Sequence, residues 1–252
     1  MKFDVAADAY DRFMGRYSRL LSAQMADLAG VEPGQRALDV GCGPGALTGE
    51  LVARLGAANV AAVDPSESFV AAVRARHPGV EVHHASAEGL PFDDGAFDAA
   101  LAQLVVHFMT DPVAGIAEMR RVTKPGGSVA ACVWDLAGGR APLSPFWTGV
   151  RQVDPTAENE AELAGARMGH LAELFGGAGL RDVISSELIV RLEHPTFSEW
   201  WEPYTGGVGP AGVYLMAQTA ERQAAIRERC HALLGDGPFT LESVAWAARG
   251  HA

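Results

Sequence analysis

An acidic residue followed by three closely spaced glycines stands in Leu38-Asp39-Val40-Gly41-Cys42-Gly43-Pro44-Gly45. Glycines at 41, 43 and 45 let the chain take dihedrals closed to other residues and keep side chains out of a ligand's way. Between a strand and a helix, such a loop can cradle a nucleotide-like cofactor, a nicotinamide dinucleotide among them. Asp64, followed by Pro65, ends the next apolar run. A carboxylate there accepts hydrogen bonds from a neutral diol and disfavours a 2′-phosphate. His107 is the best-placed proton acceptor, since imidazole can take up a proton near neutral pH. Its other reading is a pocket-wall histidine.

The remaining histidines and thiols carry less chemistry. His83 and His84 are adjacent on a predicted strand, so they point to opposite faces, and no carboxylate–histidine set joins them into a metal site. His170, His194 and His231 are isolated. Cys42, Cys132 and Cys230 lie far apart and form neither a disulfide framework nor a Cys-x-x-Cys pair. Cys42 reads as a small packing residue inside the glycine loop.

Positioning these groups requires alternating strands and helices. Short apolar runs at 36–40, 59–63, 80–84, 97–103 and 128–134 predict strands. Leu47, Leu51 and Leu55 recur at helical spacing over 46–55, with Gly56 to end the helix. Helices are also expected over 66–76 and over 112–121, where Asp111 can cap the start. Lys124-Pro125-Gly126-Gly127 is a turn signal. Nearly continuous apolar strands fit a parallel sheet covered on both faces. Further on, 162–175 reads as a helix, 183–192 and 239–248 as strands, and 196–234 as a largely helical insertion. Residues 9–28 carry Tyr10, Phe13, Tyr17, Leu20, Leu21 and Met25 in an amphipathic helical pattern.

The 31 acidic against 20 basic residues give a net charge of -11 over 252 residues. That balance opposes a phosphate-backbone-binding role, so no nucleic-acid partner is expected. No apolar run is long enough to cross a membrane and the start lacks a signal-peptide pattern, so a cytoplasmic protein without membrane insertion is expected.

Taken in order, Asp39-Val40-Gly41-Cys42-Gly43-Pro44-Gly45, Val63-Asp64-Pro65-Ser66, Ala85-Ser86-Ala87-Glu88-Gly89-Leu90-Pro91-Phe92, Phe97-Asp98 and Arg121-Val122-Thr123-Lys124-Pro125-Gly126-Gly127 form a distinctive set. The set resembles the class I S-adenosylmethionine-dependent methyltransferases of the UbiE-like, or methyltransferase type 11, group. The resemblance implies an α/β fold: one Rossmann-like domain over 1–252, with a seven-stranded mixed sheet ordered 3-2-1-4-5-7-6 and helices on both faces. Within it, 34–134 is the cofactor-binding core, 1–30 an N-terminal helical cap, and 138–175 and 196–234 helical lid insertions.

The same resemblance implies S-adenosylmethionine as cofactor, S-adenosylhomocysteine as product and no metal. The loop with Gly41, Cys42, Gly43 and Gly45 passes beneath the methionyl part, with Asp39 near its amino group. Asp64, with Pro65, meets the ribose hydroxyls. Ser86, Ala87 and Glu88 surround the adenine, Ser86 standing where family members often carry Asp. Gln103 and Leu104 lie next to the cofactor. His107 serves as a base only if the acceptor must lose a proton.

A small-molecule acceptor is expected. Tyr10, Tyr17, Phe146, Trp147 and Trp200 are candidate pocket walls, although the same aromatics can pack the insertion onto the core. Two other readings stay open: a nicotinamide-dependent oxidoreductase and a noncatalytic cofactor-binding interaction protein. The oligomeric state is left open.

Overall fold

The computed structural model describes residues 7–157 and 160–252. Strands β1 (Ala37–Val40), β2 (Val60–Asp64), β3 (Glu81–His84), β4 (Phe97–Gln103), β5 (Thr123–Trp134), β6 (Arg181–His194) and β7 (Phe239–His251) form one sheet ordered β3-β2-β1-β4-β5-β7-β6. Parallel pairing joins β3, β2, β1, β4 and β5, while β7 runs antiparallel to both β5 and β6. This is the expected seven-stranded mixed sheet. Its strand order reverses between β1 and β4, which opens a crevice at their C-terminal ends.

The helices are α1 (Ala7–Tyr10), α2 (Arg16–Ala29), α3 (Ala46–Leu55), α4 (Glu67–Arg76), α5 (Pro112–Val122), α6 (Ser144–Val153), α7 (His170–Gly177), α8 (Phe197–Trp201), α9 (Gly209–Met216) and α10 (Ala220–Leu234). Every residue of β1 and β2 is buried, as required of central strands covered on both faces. Alternation along β4 divides the core. Ala99 and Leu101 join Leu47 and Leu51 of α3 and Leu21 of α2 on one face. Ala100 and Ala102 join Ile116 and Met119 of α5 and Phe175 of α7 on the other. Asp111 caps α5, its carboxylate accepting from Ala114 N at 3.0 Å.

Several boundaries differ from the sequence expectation. Lys124–Gly127 is not a separate turn but the irregular start of β5, where the register with β4 shifts between Phe97 and Ala99. The helix expected over 162–175 begins only at His170, because Gly165 and Gly169 take φ of +82° and +78° and break the helical path. Strands β6 and β7 run longer than their apolar stretches. Their extra residues pair with one another or with the partner strand at the sheet ends, Arg181 opposite His251 and Glu193 opposite Thr240. Part of the expected 1–30 cap, residues 1–6, lies outside the described residues. The rest is helical, with a π-helical turn over Asp11–Gly15 between α1 and α2.

Candidate functional site

The glycine loop leaves β1 and is pinned to β2 by the amides of Gly41 and Cys42, which donate to Val63 O at 2.8 and 2.9 Å. Gly41 has φ of +70°, and a Cβ there would stand 2.5 Å from both methyls of Val105. Gly43 has φ of +52° and open space where a side chain would project. One position is therefore glycine for packing, the other for left-handed backbone beside an open face. Cys42 is buried against Ala62 and Val70, and Gly45 precedes the first residue of α3.

Two buried carboxylates flank this loop. Asp39 is 1% exposed and its Oδ2 accepts from Thr48 Oγ1 at 2.6 Å. Burial raises its pKa to about 7, and the charge of Asp64 adds to the effect. Asp64 is 6% exposed; its Oδ2 accepts from Gly43 N at 2.9 Å and its Oδ1 from Ser66 N at 2.8 Å. Burial also raises the Asp64 pKa, against the opposing pull of those two amides. Among the described residues neither carboxylate forms an ion pair. Desolvated acids without a cation suit a ligand bearing an ammonium group and a diol, so the residues present fit S-adenosylmethionine.

The other cofactor candidates divide. Leu104 follows β4 with φ of +62°, a left-handed conformation rare outside glycine and typical of functional sites. Gln103 donates from Nε2 to Ser18 O at 3.0 Å, while its Oε1 is buried without a partner. Ala87 is buried, Ser86 is exposed, and Pro65 O accepts from His84 Nε2 at 2.8 Å. Glu88 has its carboxylate engaged within the protein. Its Oε1 accepts from Thr110 N at 2.7 Å and Asp111 N at 3.3 Å, tying its carboxylate to the loop before α5.

The N-terminal segment is strapped across the loop. Arg76 of α4 donates to Pro44 O at 2.9 Å and pairs with Asp11 at 2.6 Å and Asp8 at 3.2 Å. This sets Tyr10 edge-on to Phe69, with ring centroids 5.6 Å apart. Burial lifts the Tyr10 pKa to about 12, with the charge of Asp64 contributing.

Beyond Leu104 lies an apolar cavity of about 40 Å³, bounded by Tyr10, Met14, His107, Trp134, Glu160 and Val208 among others. His107 is thus a wall of this chamber. Its Nδ1 is buried with no hydrogen-bond partner, and burial lowers its pKa to about 3. Trp134 Nε1 is likewise buried and unpartnered. Glu160, absent from the sequence expectation, is 7% exposed and accepts from Trp147 Nε1 at 3.0 Å. Trp147 and Glu160 also line a smaller adjoining cavity.

Three expected walls are placed elsewhere. Tyr17 is buried with its hydroxyl 2.8 Å from His194 Nε2. Phe146 is fully buried and stacks on Tyr204, centroids 4.7 Å apart. Trp200 packs against Phe197, Trp201 and Tyr204. These aromatics fasten the insertion to the core; Tyr10 and Trp147 are the ones that reach a cavity. Among the described residues no group of three or more His, Cys, Asp or Glu could hold a metal ion, and no helix is long and apolar enough to cross a membrane.

Residues 38–131 match the family described as "Methyltransferase domain". Through this core the chain is similar to the class I S-adenosylmethionine-dependent methyltransferases of the methyltransferase type 11 or UbiE-like group. It is 37% identical over 141 residues to a demethylmenaquinone methyltransferase of Clavibacter sepedonicus, covering 52% of this chain and 55% of that one. The chain spans about half the length of the curated relatives it matches. The YcgJ protein of Bacillus subtilis shares the fold at a TM-score of 0.59 and 18% identity, over 94% of this chain and 98% of that one. So does the [4+2]-cyclase SpnF, at 0.57 and 20%, over 100% and 84%. Both structural likenesses concern the fold alone.

Proposed function

We propose that this protein transfers a methyl group from S-adenosylmethionine to a small organic acceptor held in the chamber beyond Leu104. The observation that carries the proposal is the adjacency of two unlike sites. A glycine loop flanked by buried carboxylates abuts Val105, and the residue before it, Leu104, lines an apolar chamber with orphaned polar atoms. The family match agrees with this reading and favours it over a nicotinamide enzyme.

In this reading Asp39 takes the cofactor's amino group, Asp64 with Pro65 the ribose hydroxyls, and the Gly41–Gly45 backbone runs beneath the methionyl part. Ser86, Ala87 and the backbone at Glu88 border the adenine, and Gln103 and Leu104 separate the cofactor from the acceptor. Bound there, S-adenosylmethionine supplies an electrophilic methyl whose departure leaves a neutral thioether. Alignment of the acceptor with that methyl is the main task left to the chain. Leu104, rigid at the strand end, and the walls Tyr10, Trp134 and His107 perform it by excluding water and fixing the approach.

His107 is the candidate base of the sequence reading. With a pKa of about 3 it is neutral at physiological pH and free to accept a proton, but it holds one weakly, and no acid orients Nδ1. Its better role is as a neutral wall and hydrogen-bonding group. The chamber has room for only a few water molecules, so an acceptor enters as its cover shifts. Val208–Pro210 and the Tyr10–Met14 turn form that cover.

Titration calorimetry with S-adenosylmethionine and S-adenosylhomocysteine tests the first half, and binding of neither rejects it. A metabolite screen with isotopically labelled methyl donor tests the second. Label is expected in a small molecule and not in the protein; cofactor binding with no labelled product would favour a noncatalytic role.

A further inference from the structure

Glu160 is a buried carboxylate that no cation among the described residues pairs with. It stands 7% exposed among apolar walls. Trp147 Nε1 donates to Oε2 at 3.0 Å. Burial accordingly raises its pKa, with the indole N–H only partly offsetting the effect. Leaving an acid desolvated destabilises the fold unless a partner arrives to pair with it. Two further observations point to a missing ligand: His107 Nδ1 and Trp134 Nε1, on the walls of the same chamber, are both buried without partners. In a folded protein such orphans mark a place where polar atoms of something else belong.

The chemistry of that ligand follows from the walls. Met14, Phe108, Leu136, Leu143 and Val208 offer only apolar contact, and Trp134 presents an aromatic surface that tolerates a cation. A net charge of -11 draws cations toward the protein and repels anions. We propose that Glu160 is the specificity determinant of the acceptor chamber and selects an apolar or aromatic molecule bearing a protonated amine. This rests on the methyl-transfer reading of the same site and adds the substrate class to it. Glu160 is a positioning residue here: it holds the ammonium end and leaves the choice of methylated atom to the geometry at Leu104.

The test uses the full chain saturated with S-adenosylhomocysteine and three matched probes: 2-phenylethylamine, 2-phenylethanol and 3-phenylpropionate. Binding is read by ligand-observed NMR and calorimetry. The amine is expected to bind at least about tenfold more tightly than either analogue, the margin of one charge-assisted hydrogen bond. Glu160→Gln retains an acceptor for Trp147 Nε1, so it should keep the fold and the S-adenosylhomocysteine affinity while abolishing the amine preference. Equal binding of the three probes to the wild type, or an amine preference that survives in E160Q, overturns the proposal. So does a variant that loses affinity for S-adenosylmethionine but not for S-adenosylhomocysteine, since Glu160 would then face the sulfonium. Failure of the wild type to bind S-adenosylhomocysteine sinks the cofactor reading instead, which keeps the two failures distinct.

Discussion

At the glycine loop, the polar groups of Asp39 and Asp64 are buried among backbone amides and one threonine hydroxyl. In the insertion, burial is almost entirely aromatic: Phe146, Phe197, Trp200, Trp201 and Tyr204 pack ring on ring, with Glu160 the buried acid at their margin. The first region therefore keeps unspent electrostatic capacity, and its geometry is set by main-chain amides that tie the loop to β2. The second is held by surface burial, with its ion pairs, Glu199 to His194 and Arg222 to Asp154, at the periphery. A cofactor of fixed structure needs the first kind of site. A chamber that must open to admit an acceptor is better walled by the second.

Separate perturbations should keep those roles apart, and the largest effect belongs to the insertion. Phe146→Ala removes a fully buried ring stacked on Tyr204 and should destabilise the protein by about 3–5 kcal/mol. Chemical denaturation measures the loss. At a temperature where the variant stays folded, its S-adenosylhomocysteine affinity should match the wild type. A matching collapse of cofactor affinity would show that the two regions are not independent.

The converse substitution is Asp64→Ala. Hydrogen bonds to a charged acceptor contribute about 1.5–3 kcal/mol each, so S-adenosylhomocysteine affinity should fall roughly 10- to 100-fold. The variant also frees the amides of Gly43 and Ser66, so a thermal melt must accompany the calorimetry. Unchanged affinity would remove Asp64 from the cofactor site.

Within the loop itself, Gly41 and Gly43 should respond differently. A methyl at Gly41 meets Val105 at 2.5 Å, and one at Gly43 meets nothing. Gly41→Ala should cost about 1–3 kcal/mol of stability through overpacking, on top of the left-handed strain that both positions share. Gly43→Ala carries only the left-handed strain, roughly 1–2 kcal/mol, but places its methyl on the open face and should weaken cofactor binding more than its effect on the melt accounts for. Identical profiles for the two variants would contradict the packing difference.

The sequence made the first region legible and the second only in outline. Helix 46–55 and strand 97–103 were readable to the residue, because leucine spacing and an unbroken apolar run are local signals. Asp39 and the glycines belong to one strand-loop-helix unit, and the parallel pairing of β1 with β2, Val40 opposite Val63, brings Asp64 to them. The partners of the Glu88 carboxylate were not legible: the amides of Thr110 and Asp111, 22 and 23 residues away, hold it. Tyr17 pairs with His194 across a separation of 177 residues, and no local pattern encodes that. Glu160 looked like one more acid in a polar loop; the indole of Trp147 that desolvates it belongs to α6. The topology of the sheet followed from family resemblance, while the choice between aromatic wall and aromatic core needed the packing itself.

A smaller effect is expected at His107. A positioned general base contributes about 10²- to 10⁴-fold to a rate. A neutral wall residue with a pKa of about 3 contributes less, so His107→Gln should slow single-turnover methyl transfer by under about tenfold for an acceptor found by the labelled screen. A larger loss, confined to acceptors that must shed a proton, would restore His107 as the base.

The smallest signal is a proton. Asp39 has an ordinary pKa of 3.8 raised to about 7 in the fold, so between those values the folded protein binds protons that the unfolded chain has released. Its contribution to stability is therefore full below about pH 4 and is lost as pH rises through about 7. Asp64 and Glu160, both raised by burial, act in the same direction, so the isolating measurement is the difference between wild type and Asp39→Asn. The variant's stability should fall less steeply over that window. Cofactor binding reports the same group: an ammonium placed beside Asp39 favours its ionised form and expels the proton. Calorimetry at pH 6.5 in buffers of different ionisation enthalpy should show release of up to about one proton per cofactor bound, and Asp39→Asn should reduce that release. A binding heat independent of buffer in the wild type would mean that Asp39 does not meet the cofactor's amino group, and the glycine-loop region would then keep Asp64 as its only electrostatic contact with the ligand.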